Sequence, residues 1–232
     1  MLNIIAKLII RLPEKMRIGI SKALVNIVLK KYATIHVDGG EKLKDIKKPT
    51  IFICNHLSNS DGLVLSKTFK AADPTFVAGV KLSNNPFTQI GMNAVKTTNI
   101  VPNSSDSEGI KNIIKLVKDG NSLFIFPEGT RSRIGSMIKA KNGIVFIARM
   151  TGAPIVPVGL YGSEKLLPIN SKGNMESEKF TKADVYINIG DQFELPKRSA
   201  EQDKKEYEEY ATNYMMNKIA QLLPEEYRGV YR

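Results

Sequence analysis

The hydrophobic and polar positions of this chain alternate between short apolar runs and longer segments of helical periodicity. Thr50-Ile51-Phe52-Ile53-Cys54 follows Pro49 as an uninterrupted β-prone run, the pattern of a strand covered on both faces. Ser122–Phe126 and Ile155–Leu160 repeat that pattern, and Thr75–Ala78 is a shorter instance. Between them lie helical segments. One starts at Ser60 or Asp61, a favourable capping position, and runs to Phe69. Others cover Pro86–Met92 and Gly143–Met150, and Ile110, Ile113, Ile114 and Val117 form a single stripe along Ser107–Lys118 before Gly120 ends that helix. Thr34–Val37 reads as a strand closed by the Asp38-Gly39-Gly40 turn, and Val185–Ile189 reads as an edge strand. Residues 163–182 read as irregular, and Glu201–Leu222 reads as a charged C-terminal helix.

Strands alternating with helices predict an α/β fold, a mixed and mostly parallel sheet covered by helices. The 232 residues suit one core, with neither an internal repeat nor an inter-domain linker. The predicted organisation is a basic helical segment over residues 1–31 followed by a folded domain over 32–232.

The first segment has apolar groups at helical spacing: Leu2, Ile5, Leu8, Ile9 and Leu12, then Ile20, Ala23, Leu24, Ile27 and Val28. Lys7, Arg11, Glu14, Lys15 and Arg17 interrupt it well short of the roughly 18–20 apolar residues of a spanning helix. Lys7 and Arg11 also break up any signal-peptide core, so secretion is not expected. Two basic amphipathic helices remain, which suit either the headgroup plane of a membrane or packing on the domain's own core.

Charge strengthens the first of those options. The formal net charge is +11, and more than half of the excess lies in residues 1–31, where Lys7, Arg11, Lys15, Arg17, Lys22, Lys30 and Lys31 face Glu14 alone. An anionic partner follows: a surface of anionic lipid, an acidic carrier protein or a phosphorylated substrate. Nucleic acid is not expected, because neither basic residues interleaved with aromatics nor a known module is present. A single cysteine, Cys54, excludes an intrachain disulfide and a cysteine-based zinc site, which suits a reducing, cytoplasmic face.

Two polar loops follow buried strands, where reactive groups gather in open α/β folds. In the first, His56 and Asp61 stand five positions apart among Asn55, Ser58, Asn59 and Ser60. An imidazole can take a proton from an attacking hydroxyl while a carboxylate on its other nitrogen sets the tautomer. Chance or simple helix capping by Asp61 explains most such pairs. The other histidine, His36, lies inside a strand and reads as structural. The second loop is Phe126-Pro127-Glu128-Gly129-Thr130-Arg131-Ser132. Arginine offers a planar fork for phosphate and glycine permits close approach to the backbone. Glu128 can anchor the loop or bond a substrate hydroxyl, and Lys139 and Lys141 add positive potential or are solvated.

Together the loops resemble the glycerophospholipid acyltransferase family, in particular bacterial 1-acylglycerol-3-phosphate acyltransferases. The first family block stands here as Asn55-His56-Leu57-Ser58-Asn59-Ser60-Asp61 and the third, unchanged, as Phe126–Ser132. The fourth, an apolar segment about a proline, corresponds to Ala153–Leu160 around Pro157, and the resemblance runs from about Thr34 to Gly162. It implies that His56, paired with Asp61, deprotonates an acceptor hydroxyl that attacks an acyl thioester directly. Arg131 would hold the acceptor phosphate, and Glu128, Gly129 and Thr130 would complete the acceptor site. The donor would be acyl-CoA or acyl carrier protein, with neither metal nor other cofactor, and the product phosphatidic acid, made at the cytoplasmic face of the membrane. The second block departs from the family: no arginine lies between Ala94 and Glu108, and Pro102 falls near its place. Lys81 or Lys96 would then substitute, or the acceptor is another lysophospholipid or a hydroxyl or amine lipid.

Two rival readings differ in class. Cys54 with His56 as base would make a thiol nucleophile. A basic membrane-surface protein without catalysis would account for the charge alone.

Overall fold

A computed structural model describes residues 2–79, 86–100, 107–170 and 178–232. Seven strands form one sheet in the order β1-β7-β6-β2-β5-β3-β4. They are β1 (Ala33–Asp38), β2 (Ile51–Cys54), β3 (Thr75–Gly79), β4 (Thr97–Ile100), β5 (Leu123–Ile125), β6 (Ile155–Tyr161) and β7 (Ala183–Ile189). The five strands from β6 to β4 are mutually parallel; β7 is antiparallel to β6, and β1 is parallel to β7. The mixed, mostly parallel sheet expected from the alternation is therefore present.

Helices cover both faces: α1 (Leu2–Ile10), α2 (Glu14–Tyr32), α3 (Asp61–Thr68), α4 (Pro86–Ala94), α5 (Ser107–Lys118), α6 (Gly143–Thr151), the short α7 (Ser163–Leu166) and α8 (Lys204–Ala220). The period-two geometry of β2 divides the core between them. Ile51 and Ile53 pack with Ile113 and Val117 of α5, Ile144 and Ile147 of α6, and Met215 and Ile219 of α8. Phe52 and Cys54 pack on the other side with Val64 and Leu65 of α3 and Leu29 of α2. All four β2 side chains are fully buried, which explains an apolar run without alternation.

Three elements differ from the sequence expectation. Val185–Ile189 is not an edge strand: β7 lies between β1 and β6, with Val185, Ile187 and Ile189 buried on one face. Its polar alternate residues Asp184, Tyr186 and Asn188 gave it the look of an edge. Thr97–Ile100 is a strand whose polar content hid it, and it occupies the true edge beside β3. Part of the stretch read as irregular forms α7, which starts after Gly162 at φ +85°, where a Cβ would stand 2.2 Å from the Asp184 carbonyl oxygen.

The N-terminal helices pack on the domain, one of the two arrangements expected for them. α1 and α2 pack against α4, and Ala6, Ile9, Ser21 and Leu29 are buried. Yet Leu8, Met16, Leu24 and Ile27 are exposed, the last three on one face of α2. Among the described residues, no helix is long and apolar enough to cross a membrane.

Candidate active site

β2 and β5 are neighbours in the sheet and run in the same direction, so the loops that leave their carboxyl ends lie side by side. This adjacency brings His56 to the Phe126–Ser132 loop across some seventy positions of sequence. The Ser132 amide donates to the His56 carbonyl at 2.8 Å, and the His56 ring stacks on Phe126 with centroids 4.1 Å apart. Phe126 in turn touches Phe124, which packs on Phe52, Phe69 and Phe76. The imidazole therefore rests on an aromatic column rooted in the core. Each buried ring of that column contributes about 1.5–3 kcal/mol through burial, which fixes the platform beneath the imidazole.

Asp61 is the first residue of α3, and the loop turns back so that its carboxylate lies under the loop's own amides. Its Oδ2 accepts from His56 Nδ1 at 2.7 Å and from the Leu57 and Ser58 amides at 2.7 and 2.9 Å. The Asp61 side chain is fully buried, whereas that of His56 is 20% exposed. A carboxylate can only accept, so Nδ1 carries the proton and Nε2 holds the free lone pair. Asp61 therefore does not cap α3, whose start carries no side-chain cap; one carboxylate oxygen instead holds the loop amides and the imidazole together.

Asn55, Ser58 and Ser60 of the first loop bond backbone groups of other segments. Asn55 clamps the loop to β6, donating to the Leu160 carbonyl at 2.7 Å and accepting from the Leu160 amide at 2.9 Å. Ser58 donates to the Leu167 carbonyl at 2.9 Å and Ser60 to that of Ser163 at 3.4 Å, which ties the loop to α7. Asn59 points the other way, to the Glu178 carboxylate at 2.6 Å.

In the second loop the expected site residues divide by burial. Gly129 and Thr130 are exposed, and Gly129 has φ +68°. A Cβ there would meet the Lys141 side chain at 2.9–3.1 Å, so Lys141 lies across the loop backbone. Arg131 has a side chain 18% exposed and donates from Nη1 to Glu178 at 3.1 Å. Glu128 is buried behind the loop. Burial first, and the negative Asp61 second, push its carboxyl up to about 8. The amides of His56 and Ile138 favour its ionised form, yet neither carboxyl oxygen completes a hydrogen bond of normal geometry.

Sequence reasoning missed a brace at the back of this loop. After α8, residues 225–231 form two short 3-10 turns along it. The Met137 amide donates to the Tyr227 carbonyl at 2.8 Å, the Val230 amide to the Met137 carbonyl at 3.3 Å, and the Ala140 amide to the Tyr231 hydroxyl at 3.0 Å. Nothing local in the polar tail Pro224–Arg232 signals such pairing.

Of the two proposed substitutes for the second-block arginine, Lys96 does not reach the site. Lys96 precedes β4 and so lies at the amino end of the parallel strands, opposite the catalytic loops, where it pairs with Asp73 at 2.9 Å. Lys81 and Pro102 lie outside the described residues. His36 is structural as expected, bonded to Asp184 at 2.9 Å and stacked on Tyr186.

The thiol rival fails on geometry and charge. Cys54 is fully buried, and burial, with Asp61 and Glu128 adding to it, raises its thiol well above the ordinary range. Cys54→Ala is expected to keep kcat/KM near the wild-type value while lowering stability by about 1 kcal/mol for the emptied volume; steady-state kinetics beside urea unfolding check both.

The Acyltransferase family model matches residues 34–161. The chain is 31% identical over 157 residues to the chloroplastic 1-acyl-sn-glycerol-3-phosphate acyltransferase LPAT1 of Arabidopsis thaliana, covering 66% of this chain and 43% of that protein. It is 33% identical over 131 residues to the 1-acyl-sn-glycerol-3-phosphate acyltransferase of Borreliella burgdorferi, covering 56% and 52%. The chain thus spans about half the length of the curated relatives it matches. In fold it resembles the crystal structure of the 1-acyl-sn-glycerophosphate acyltransferase PlsC of Thermotoga maritima, with a TM-score of 0.65 and 23% identity over 90% of this chain and 80% of that one. Since the family model covers more than half of its length and takes in both catalytic loops, the chain belongs to the acyltransferase family.

Proposed function

We propose that this protein transfers a fatty acyl group from acyl-CoA or acyl carrier protein to the free hydroxyl of 1-acylglycerol-3-phosphate, forming phosphatidic acid. The observation that carries the reading is the His56–Asp61 pair, set in a rigid loop beside Arg131. Nε2 of His56 takes the acceptor's hydroxyl proton as that oxygen attacks the thioester carbonyl. The C–S bond then breaks, and the imidazolium returns the proton to the departing thiolate. Asp61 stabilises the transient imidazolium, Arg131 holds the phosphate, and Gly129 and Thr130 border the acceptor. The step uses neither a metal nor an acyl-enzyme.

Acyl transfer measured with 1-acylglycerol-3-phosphate, other lysophospholipids and amine lipids, each with both donors, tests this assignment. Highest kcat/KM with the phosphate monoester is expected. Preference for another lysolipid would move the activity within the family, and salt-sensitive binding to membranes without any transfer would favour a non-catalytic protein.

The same proposal sets the reaction at the cytoplasmic face of a membrane, with α1 and α2 docked in an anionic headgroup layer. Support comes from Leu8, Met16, Leu24 and Ile27, exposed among Lys7, Arg11, Lys15, Lys22, Lys30 and Lys31. The double variant Leu24→Ser, Ile27→Ser alters only exposed positions. It is expected to weaken binding to vesicles containing anionic lipid by about tenfold, since each side chain contributes on the order of 1 kcal/mol when inserted. Unchanged cosedimentation would remove α2 from the docking surface.

A further inference from the structure

Glu178 occupies an unusual position. Its side chain is only 2% exposed, and its two carboxylate oxygens are shared between donors from the two separate catalytic loops. Oε2 accepts from Asn59 Nδ2 at 2.6 Å and Oε1 from Arg131 Nη1 at 3.1 Å. Asn59 lies between His56 and Asp61 in the chain, and Arg131 closes the Glu128–Arg131 stretch, so each loop contributes one donor to the same carboxylate. A planar anion thus already fills a two-donor site at the place where an acceptor phosphate would be held.

We infer that Asn59 Nδ2 and Arg131 Nη1 together form the headgroup anion site, and that the Glu178 carboxylate is its internal stand-in, displaced when a phosphate monoester binds. The inference rests on the proposed transfer to a phosphate-bearing acceptor and adds two residues to it. Three physical points support it. A phosphate carries nearly twice the charge of a carboxylate and offers more acceptor oxygens, so it competes for the same donors. The two anions cannot share the pocket, because like charges in a site so poor in water repel strongly. Arg131, whose other four donors make no hydrogen bond to described residues, can pass from one anion to the other by a small rotation. The arrangement also relieves the absence of a second-block arginine: Asn59 supplies a second donor, and Glu178 neutralises Arg131 while the site holds no acceptor.

Occupation by Glu178 lowers the apparent affinity for acceptor by the fraction of molecules in which the site is open. Glu178→Gln removes the charge and places an amide against Asn59 or Arg131, which loosens the hold. It is expected to lower the KM for 1-acylglycerol-3-phosphate by about three- to tenfold, with the effect on KM and not kcat. Asn59→Ala is expected to raise that KM by about tenfold, the loss of one charge-assisted hydrogen bond. Asn59→Asp keeps the side-chain size should the alanine variant not fold, and is expected to raise KM further by repulsion. Binding of inorganic phosphate, followed by calorimetry without any acyl donor, is expected to move the same way in each variant. A rise in KM for both Glu178→Gln and Asn59→Ala would show that Glu178 only props Arg131 and would overturn the inference, as would no change in either. Phosphate binding that responds as stated while acceptor KM does not would assign the site to free phosphate and overturn its headgroup role. If wild type transferred acyl groups to no phosphate-bearing lipid, the proposed function would fail, and the phosphate titration would still decide whether these residues form an anion site.

Discussion

Replacing His56 with alanine is expected to lower kcat/KM for acyl transfer by about 10²–10⁴-fold, the usual contribution of a positioned general base. The fold should survive, because His56 is partly exposed and its backbone carbonyl, not its ring, holds the Ser132 amide. Asp61→Asn is expected to approach the same loss by a different route. The asparagine can still accept from the Leu57 and Ser58 amides, so the loop retains its shape. What disappears is the negative charge that holds the Nδ1 proton and stabilises the imidazolium. A comparable substitution in a serine-protease triad costs about 10⁴ in kcat. Kinetics of both variants at saturating donor, with circular dichroism as the folding control, give the answer. Activity near wild type in His56→Ala would remove the histidine from the mechanism.

The second large effect concerns stability and pH, and it centres on Glu128. Its carboxyl is raised from 4.5 to about 8, chiefly because burial penalises the charged form. The folded protein therefore prefers the neutral acid, while the unfolded chain ionises near 4.5. Below about pH 4.5 both states are protonated and the group costs nothing. As pH rises from there to about 8, the unfolded state loses its proton first and stability falls; above about 8 the cost is complete. Each pH unit across the window costs about 1.4 kcal/mol, so the total is on the order of 4–5 kcal/mol. Glu128→Gln keeps the size and the neutral state. It is expected to match wild type in urea unfolding at pH 4.5 and to exceed it increasingly up to pH 8 and beyond. A constant difference at all pH values would place the Glu128 proton elsewhere. At neutral pH Glu128 is mostly the neutral acid and so adds little negative charge beside Asp61.

Local pattern made several parts of this molecule legible. β2, β5 and β6 are buried on both faces, so their side chains had to be apolar without interruption, and such runs are visible in any window. The stripe of α5 and the start of α3 at Asp61 are equally local. Polar strands were harder. β4 has only half-buried residues and one exposed one, and β7 alternates because one face alone is buried, so neither carried the signature of an interior strand. The elements at chain separation were hardest: the tail that braces Met137 and the carboxylate of Glu178 make contacts that no periodicity encodes.

Sequence alone determined the α/β class, the two reactive loops, the pairing of His56 with Asp61 and the membership of a family, because all of these rest on residues close together in the chain. Only the tertiary structure decided how they combine. The sheet order set β2 beside β5 and so joined the loops; packing buried Glu128 and left Gly129 and Thr130 open; the place of Lys96 at the amino end of β4 took it away from the site; and long-range contact delivered Glu178 to Arg131. The physical reason is the same in each case. Strand and helix propensity act over a few residues, whereas the neighbours, charge balance and water access of a side chain depend on which distant segments the closed core brings against it.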